Sequence, residues 1–179
     1  PEWAAFDQAL LILGAVVVPL YPSLLTEQIR YILEHSGSRV LVVSNETQLS
    51  KVLPALGSLP GLSRLVLMDP PAEMPTQALD WSVILREGEA VHRNDPSRFE
   101  SLQSRVQPSN LASILYTSGT TSEPKGVMLT HGNFSANVTS TLEAVPIRGD
   151  SVALSFLPLS HAFERMVHFA CLAAGATIA

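Results

Sequence analysis

The sequence predicts an α/β fold: a layered domain with a mainly parallel sheet and flanking helices. Apolar runs at 16–18, 39–43 and 64–69 alternate with helical patterns at 27–35 and 46–53. This alternation is typical of an open parallel sheet whose strands are joined by crossover helices. The run at 16–18 is apolar throughout, as expected for a strand that is covered on both faces.

The amino-terminal segment is expected to begin with a buried helix. Residues 3–13 are apolar around most of the helical circumference, and Gly14 follows as an end signal. The short apolar run at 16–18 is then closed by Pro19 and Pro22, which cannot continue a central strand. We therefore expect a helix followed directly by a short strand.

Polar and glycine residues mark the ends of the next two helices. Thr26 is expected to cap the first of them, and Gly37 to end it. Asn45 is expected to cap the second helix, and Pro54 to end it. Both helices should place one apolar face against the sheet.

The middle of the chain is less regular. Three prolines between residues 69 and 78 predict a loop, and 80–88 has the pattern of a short helix. Residues 92–108 are polar and charged, and predict an exposed connection rather than a separate domain. We expect the three arginines in this segment to contact solvent.

The carboxy-terminal part predicts two more strand–helix units. Thr130 or Asn133 should cap a helix that ends near Ala144. A strand is expected over 151–156, followed by a sharp loop and a helix over 161–173. The apolar run 176–179 predicts a further strand. Both ends of the sequence look cut, because the chain starts within a helical pattern and stops within this strand. We therefore expect the chain to be a piece of a larger protein.

Composition excludes several functional classes. With 179 residues and a net charge of -5, the chain is large enough for one core but lacks the basic surface of a nucleic-acid binder. A single cysteine, Cys171, excludes an internal disulfide framework, and no cluster has zinc-ligand spacing. The apolar run 9–18 is shorter than the ~20 residues of a membrane helix. We expect an intracellular, cytoplasmic location.

The sharpest change in composition lies at residues 116–126, which read YTSGTTSEPKG. Apolar strand candidates at 111–116 and 127–130 flank this segment. Glycines let backbone N–H groups approach a ligand, hydroxyls donate hydrogen bonds, and Lys125 adds positive charge. A polyphosphate suits these donors. The spacing differs from G-x-x-x-x-G-K-[ST], so a solvated Ser/Thr/Gly-rich connection remains an equal alternative on spacing alone.

The same segment resembles the signature loop of the adenylate-forming enzymes, which include acyl-CoA synthetases, firefly luciferase and the adenylation domains of peptide synthetases. Ser122 stands where that family usually has glycine. Shorter stretches within 1–33 also resemble the family's early core, so the likeness covers most of the chain apart from 69–107. It implies the N-terminal domain of the acyl-CoA synthetase/luciferase-like fold.

A second motif is FLPLSHAFER at 156–165, which contains His161. A histidine between a loop and a helix is most often a helix cap or a packed side chain. The motif resembles the form found in long-chain acyl-CoA synthetases, and this likeness implies that His161 helps place the carboxylate and that Phe163 lines the acyl tunnel. Glu164 and Arg165 are interpreted either as a surface ion pair or as part of the site.

The resemblance assigns roles to the loop and identifies the substrates. Lys125 and His161 would be the catalytic residues of an AMP-forming acid–thiol ligase that uses ATP, Mg²⁺, CoA and a long-chain fatty acid. Thr120 would assist Mg²⁺ binding through the phosphates. The residues expected to hold the nucleotide are Thr117, Ser118, Gly119, Thr120, Thr121, Ser122, Lys125 and Gly126.

Residues 1–179 are expected to form an incomplete AMP-binding domain. The family's Tyr-Gly-x-Thr-Glu segment, its ribose-binding aspartate and the small C-terminal lid domain have no counterpart here. The chain alone should therefore not form acyl-CoA. Two alternatives stay open: an adenylation module for an aryl, amino or other acid, and a non-catalytic nucleotide-binding or interaction domain. The resemblance also leaves open a peripheral membrane association of the whole protein, whose oligomeric state the sequence does not indicate.

Overall fold

The computed structural model describes residues 2–117 and 123–179, which form two compact units. Unit 1 comprises Pro1–Ala5 and Pro22–Ser104, and unit 2 comprises Phe6–Tyr21 and Arg105–Ala179. Within the described residues, no helix is long and apolar enough to cross a membrane.

The described residues form helices and short strands. The helices are α1 (Glu2–Ile12), α2 (Thr26–Ser36), α3 (Glu46–Leu56), α4 (Trp81–Asn94), α5 (Arg98–Gln103), α6 (His131–Ala144) and α7 (Ala162–Ala174). The strands are β1 (Val40–Val43), β2 (Arg64–Leu67), β3 (Ala78–Asp80), β4 (Leu111–Thr117), β5 (Lys125–Thr130), β6 (Val152–Ala153) and β7 (Thr177–Ile178). The fold is mixed α/β with parallel sheet and flanking helices, as predicted.

Unit 1 is built on a parallel sheet in the order β1-β2-β3. The last three residues of its central strand are apolar and buried, and β1 and β3 pair with the strand on either side. Helix α2 buries Ile29, Ile32 and Leu33, and Gly37 ends it in the left-handed conformation that glycine adopts without strain. The Asn45 side chain accepts a hydrogen bond from Gln48 N at 3.1 Å, so the predicted cap of α3 is confirmed.

Two predictions for unit 1 are wrong in detail, and one strand was not predicted. Thr26 is the first helical residue of α2 rather than its cap, since Leu25 occupies the cap position. Pro54 lies inside α3 instead of ending it. It falls in the last turn, where only one backbone hydrogen bond is lost, and Ala55 beyond it is buried. Strand β3 was not predicted, because its three residues lack an apolar run.

The segment predicted as an exposed connection at 92–108 is also partly helical. Helix α4 continues to Asn94, well past the predicted end at residue 88, and α5 occupies Arg98–Gln103. None of the residues in α4 and α5 is buried and Arg105 is exposed, so the expectation that Arg93, Arg98 and Arg105 lie at the surface agrees with the structure.

Unit 2 contains an antiparallel pair, β4-β5, and a parallel pair, β6-β7. Its buried core joins Leu11, Val17 and Ala112, and the half-buried rings of Phe134 and Phe169 pack against them. Helices α6 and α7 pack on each other. This core anchors the first half of β4, the strand that leads into the predicted phosphate loop.

The strand predictions for unit 2 are too long. The run 16–18 forms only a single parallel bridge, between Val17 and Ser113. The strand predicted over 151–156 is limited to Val152–Ala153, although Ser155 N still donates to the carbonyl of Ala179. The run 176–179 forms strand at Thr177–Ile178. The predicted helix over 3–13 is observed as α1, but only Asp7 and Leu11 of it are buried.

Candidate functional site

Strands β4 and β5 frame the hydroxyl-rich loop. Their antiparallel register pairs Thr117 with Lys125 and Tyr116 with Gly126, so the ends of the loop face each other across the ladder. Thr117 and Lys125 are both exposed. Ser118, Gly119, Thr120, Thr121 and Ser122 lie outside the described residues, and their predicted contacts with a nucleotide stay predictions.

Gly126 has a packing role beside its predicted contact with phosphate. A Cβ atom at this position would lie 2.8 Å from Ile114 Cγ2 and 3.3 Å from Tyr116 Cζ, both on the partner strand. Separations below 3 Å between carbon atoms are strongly repulsive. Glycine is therefore needed here for the close approach of β5 to the side chains of β4, whether or not its N–H binds a ligand.

His161 is the N-cap of α7. Its Nδ1 accepts a hydrogen bond from Phe163 N at 3.2 Å, so the neutral ring carries its proton on Nε2. The side chain is exposed, and the ring of Tyr21 approaches it edge-on, with 6.3 Å between centroids. The histidine is thus a helix cap whose second nitrogen is a hydrogen-bond donor. A role toward substrate is compatible with this geometry and stays a prediction.

Phe163 follows in the first turn of α7 with 58% of its surface exposed. Phe156 and Leu154, on the segment that precedes the turn, are exposed by 77% and 73%. The residues around His161 therefore present apolar side chains at the surface of unit 2. The prediction that Phe163 lines an acyl tunnel is untested by these contacts.

The expectation of a surface ion pair between Glu164 and Arg165 is wrong. Both side chains are buried, with 3% and 1% of their surface exposed, and each has a different partner. Ser155 Oγ donates to Glu164 Oε1 at 2.6 Å. Arg165 donates through Nε and Nη2 to the two carboxylate oxygens of Asp7, at 2.9 and 2.6 Å. Successive helical residues point about 100° apart, so the two side chains leave α7 in different directions.

Asp7 was not among the predicted site residues. Burial raises the pKa of its carboxyl group above the ordinary value, while the Arg165 guanidinium opposes that shift through hydrogen bonds and charge. One sequence signal was present: an acidic residue in the middle of a mostly apolar helix.

Two further buried polar groups lie in this unit. His131 Nε2 and Ser160 Oγ have no hydrogen-bond partner among the described residues. Burial lowers the pKa of His131 below its ordinary value. Burial also raises the pKa of the Cys171 thiol, so this cysteine is a poor nucleophile. No group of three or more His, Cys, Asp or Glu residues in 2–117 and 123–179 could hold a metal ion.

A family model described as AMP-binding enzyme matches residues 1–179, the whole chain. The chain belongs to the AMP-binding enzyme family. Curated relatives of this AMP-binding enzyme include the long chain acyl-CoA synthetase 6, peroxisomal, of Arabidopsis thaliana, 34% identical over 92% of the chain and 23% of the relative. The long-chain-fatty-acid–CoA ligase 6 of Homo sapiens is 36% identical over 93% of the chain and 25% of the relative. The chain thus spans about a quarter of their length.

Solved structures agree with the fold assigned to this AMP-binding enzyme. A long-chain-fatty-acid–CoA ligase from Archaeoglobus fulgidus superposes with a TM-score of 0.73, covering 99% of the chain and 32% of the solved protein. The identity is 22%, so this likeness shows the fold alone. It confirms the predicted class, that of the N-terminal domain of acyl-CoA synthetase/luciferase-like ligases.

Proposed function

We propose that this chain is part of the N-terminal domain of a long-chain fatty acid–CoA ligase, and that the C-terminal lid domain belongs to the rest of the full-length protein. The observation that carries the proposal is the 34–36% identity to two ligases of that name over more than nine-tenths of the chain. The reaction would join a fatty acid to CoA at the expense of ATP.

The chemistry divides into two substitutions. In the first, a carboxylate oxygen of the fatty acid attacks the α-phosphorus of ATP, and the bond from that phosphorus to the bridging oxygen breaks, releasing pyrophosphate. In the second, the CoA sulfur attacks the acyl carbon after loss of its proton, and AMP leaves. The first step brings an anion to a polyanion, so its barrier is largely electrostatic.

The phosphate loop would offset that repulsion. Lys125 at the start of β5 supplies a full positive charge, and its exposed side chain lies opposite Thr117 in the ladder. Hydroxyls of Thr117, Ser118, Thr120, Thr121 and Ser122 and the backbone of Gly119 and Gly126 would donate to the β- and γ-phosphates. Mg²⁺, when bound, would neutralise phosphate charge. The hydroxyl oxygens of this segment suit a Mg²⁺ ion that is held mainly by the nucleotide phosphates, and Thr120 would assist its binding.

His161 would bind the incoming acid. Because Nδ1 is occupied as the cap acceptor, Nε2–H is the donor available to a carboxylate oxygen near the α-phosphate. The exposed ring of Phe163 would cover part of the acyl chain. His161 would thus contact the polar carboxylate of the fatty acid, and Phe163 would contact its apolar chain.

Pyrophosphate exchange with the full-length protein tests the proposal directly. We expect exchange with long-chain fatty acids and little with aryl or amino acids; exchange with another acid class alone would favour the alternative adenylation module. Lys125→Ala should lower the rate by at least a hundredfold. Lys51→Ala, which removes the same charge from α3, is the matched control and should keep wild-type activity. No exchange with any acid would favour a non-catalytic domain.

Two finer expectations belong to the same proposal. Exchange should require Mg²⁺ and stop when the metal is chelated. The full-length protein should occur in the cytoplasm, where ATP and CoA are available, and its peripheral attachment to membranes is testable by vesicle flotation.

A further inference from the structure

Arg165 is the centre of a buried polar network in unit 2. Besides its two hydrogen bonds to Asp7, it donates through Nη1 to Ser113 Oγ at 2.7 Å. The rings of Phe134 and Phe169 lie against the guanidinium, with centroids 5.1 and 5.4 Å from its central carbon. One side chain thus contacts α1, β4, α6 and its own helix α7.

Ser113 extends the network to the segment after α1. Its hydroxyl donates to the carbonyl of Val17 at 2.6 Å, and Ile114 N donates to the same carbonyl at 3.1 Å. Val17 N in turn donates to the carbonyl of Ala112 at 2.9 Å. These bonds fix the position of β4 four residues before Thr117, the strand residue that borders the phosphate loop.

The same arginine is linked to His161 through the first turn of α7. Arg165 N donates to the carbonyl of His161 at 3.0 Å, which is the first bond of the helical ladder. Glu164, the preceding residue, accepts from Ser155 and so holds the other side of the turn. The backbone of His161 therefore cannot shift along the helix axis unless these bonds break.

A role in stability alone does not account for the network. Replacing a buried ion pair by apolar side chains of similar volume is often neutral or stabilising, because two charges no longer need desolvation. The ion pair differs from such apolar packing in directionality, since a bidentate guanidinium–carboxylate contact fixes orientation as well as distance.

We propose that Arg165, held by Asp7 and Ser113, is a positioning residue that fixes His161 relative to β4. The inference rests on the function proposed above for the same site. Asp7 and Ser113 would serve the reaction without touching substrate, by holding the start of α7 in a fixed position relative to β4.

The test uses the full-length protein and an apolar replacement of the pair, Asp7→Leu/Arg165→Met. We expect its melting temperature to stay within a few degrees of wild type, because both charges leave together. The kcat of fatty-acid-dependent pyrophosphate exchange should fall at least tenfold, with the KM for ATP changed less than threefold. Arg30→Met, at an exposed pair with Glu27 and Glu34, is the matched control and should leave both values unchanged.

A double-mutant cycle separates positioning from general loosening. In the wild-type background His161→Ala should lower kcat strongly, whereas in the Asp7→Leu/Arg165→Met background it should lower kcat much less. Multiplicative losses, or a stable double variant with wild-type kcat, would overturn the proposal while leaving the proposed function intact. A wild-type protein that activates no acid would instead refute the proposed function.

If the double variant does not fold, Ser113→Ala provides a second test of the positioning role. This change removes the hydrogen bonds of the Ser113 hydroxyl to Arg165 and to Val17 but keeps the ion pair. We expect a folded protein whose kcat falls severalfold and whose response to His161→Ala is reduced. A wild-type kcat in this variant would overturn the proposal.

Discussion

The hydroxyl of Ser155 donates a 2.6 Å hydrogen bond to Oε1 of Glu164, and this bond closes the turn between β6 and α7. Glu164 is 3% exposed, so its carboxylate depends on that donor and on the first turn of the helix for compensation. The turn presents His161 and Phe163 at the surface. Its geometry is therefore set by a buried contact on one side and by the helix cap on the other.

Glu164→Ala is expected to destabilise the protein. The substitution leaves the Ser155 hydroxyl without its acceptor in a partly buried position, which costs about 1–3 kcal/mol in the free energy of unfolding. Urea denaturation of the full-length protein measures the change. Glu143→Ala, at an exposed position of α6, should differ from wild type by less than about 0.5 kcal/mol. Equal effects of the two substitutions would contradict a structural role for the buried bond.

Gly126→Ala should destabilise the β4–β5 pair by overpacking. The new methyl group would meet Ile114 Cγ2 at 2.8 Å, and such crowding costs about 1–3 kcal/mol. Ile114→Ala removes the opposing methyl, so the double variant should lose less stability than the sum of the two single variants. Gly61→Ala, where a Cβ meets nothing within 4 Å, is the control. Strict additivity in the unfolding energies would show that the close approach does not matter.

Protonation of His131 is expected to destabilise the protein in acid. Burial lowers its pKa in the folded state below the ordinary value of 6.5, so the unfolded chain binds more protons in the window just below that value. The free energy of unfolding therefore falls as pH drops through 6.5, and this contribution levels off below the folded pKa. His131→Gln does not titrate. The free energy of unfolding of wild type minus that of this variant should be constant above about pH 7.5. It should decrease as the pH falls below about 6.5, because only wild type is destabilised by protonation.

Much of this architecture follows from local sequence pattern. Strands β1 and β2 of the parallel sheet are predicted from apolar runs, and the cap at Asn45 and the helix end at Gly37 from residues with strong conformational preferences. The strands on either side of the hydroxyl-rich loop also follow from pattern, although β5 begins at Lys125, two residues before the predicted apolar run.

The buried charges do not follow from local pattern. Asp7 and Arg165 are 158 residues apart, and no local periodicity encodes a pairing over that distance. Charged side chains are exposed by default, so a surface location was the natural expectation for Arg165. The predicted length of a short strand such as β6 is wrong for a related reason. Hydrogen bonds to a strand that is distant in sequence, rather than the length of the apolar run, determine where β6 ends.

His161 allows the cap and the proposed substrate contact to be tested separately. Asparagine is among the best N-cap residues, so His161→Asn should keep the free energy of unfolding within about 0.5 kcal/mol of wild type. His161→Ala should lose about 1 kcal/mol, because Phe163 N loses its acceptor. Both variants lack Nε2–H, and we therefore expect both to lower pyrophosphate exchange by at least tenfold.

Asn45→Ala supplies the matched control for that comparison. It removes a side-chain cap of α3, whose acceptor lies 3.1 Å from Gln48 N, and should cost a similar free energy of unfolding without reducing exchange. A His161→Asn variant that exchanges pyrophosphate at the wild-type rate would show that the histidine is only a helix cap. A variant as stable as wild type but inactive would separate the two roles, because the cap would be intact while the imidazole donor was missing.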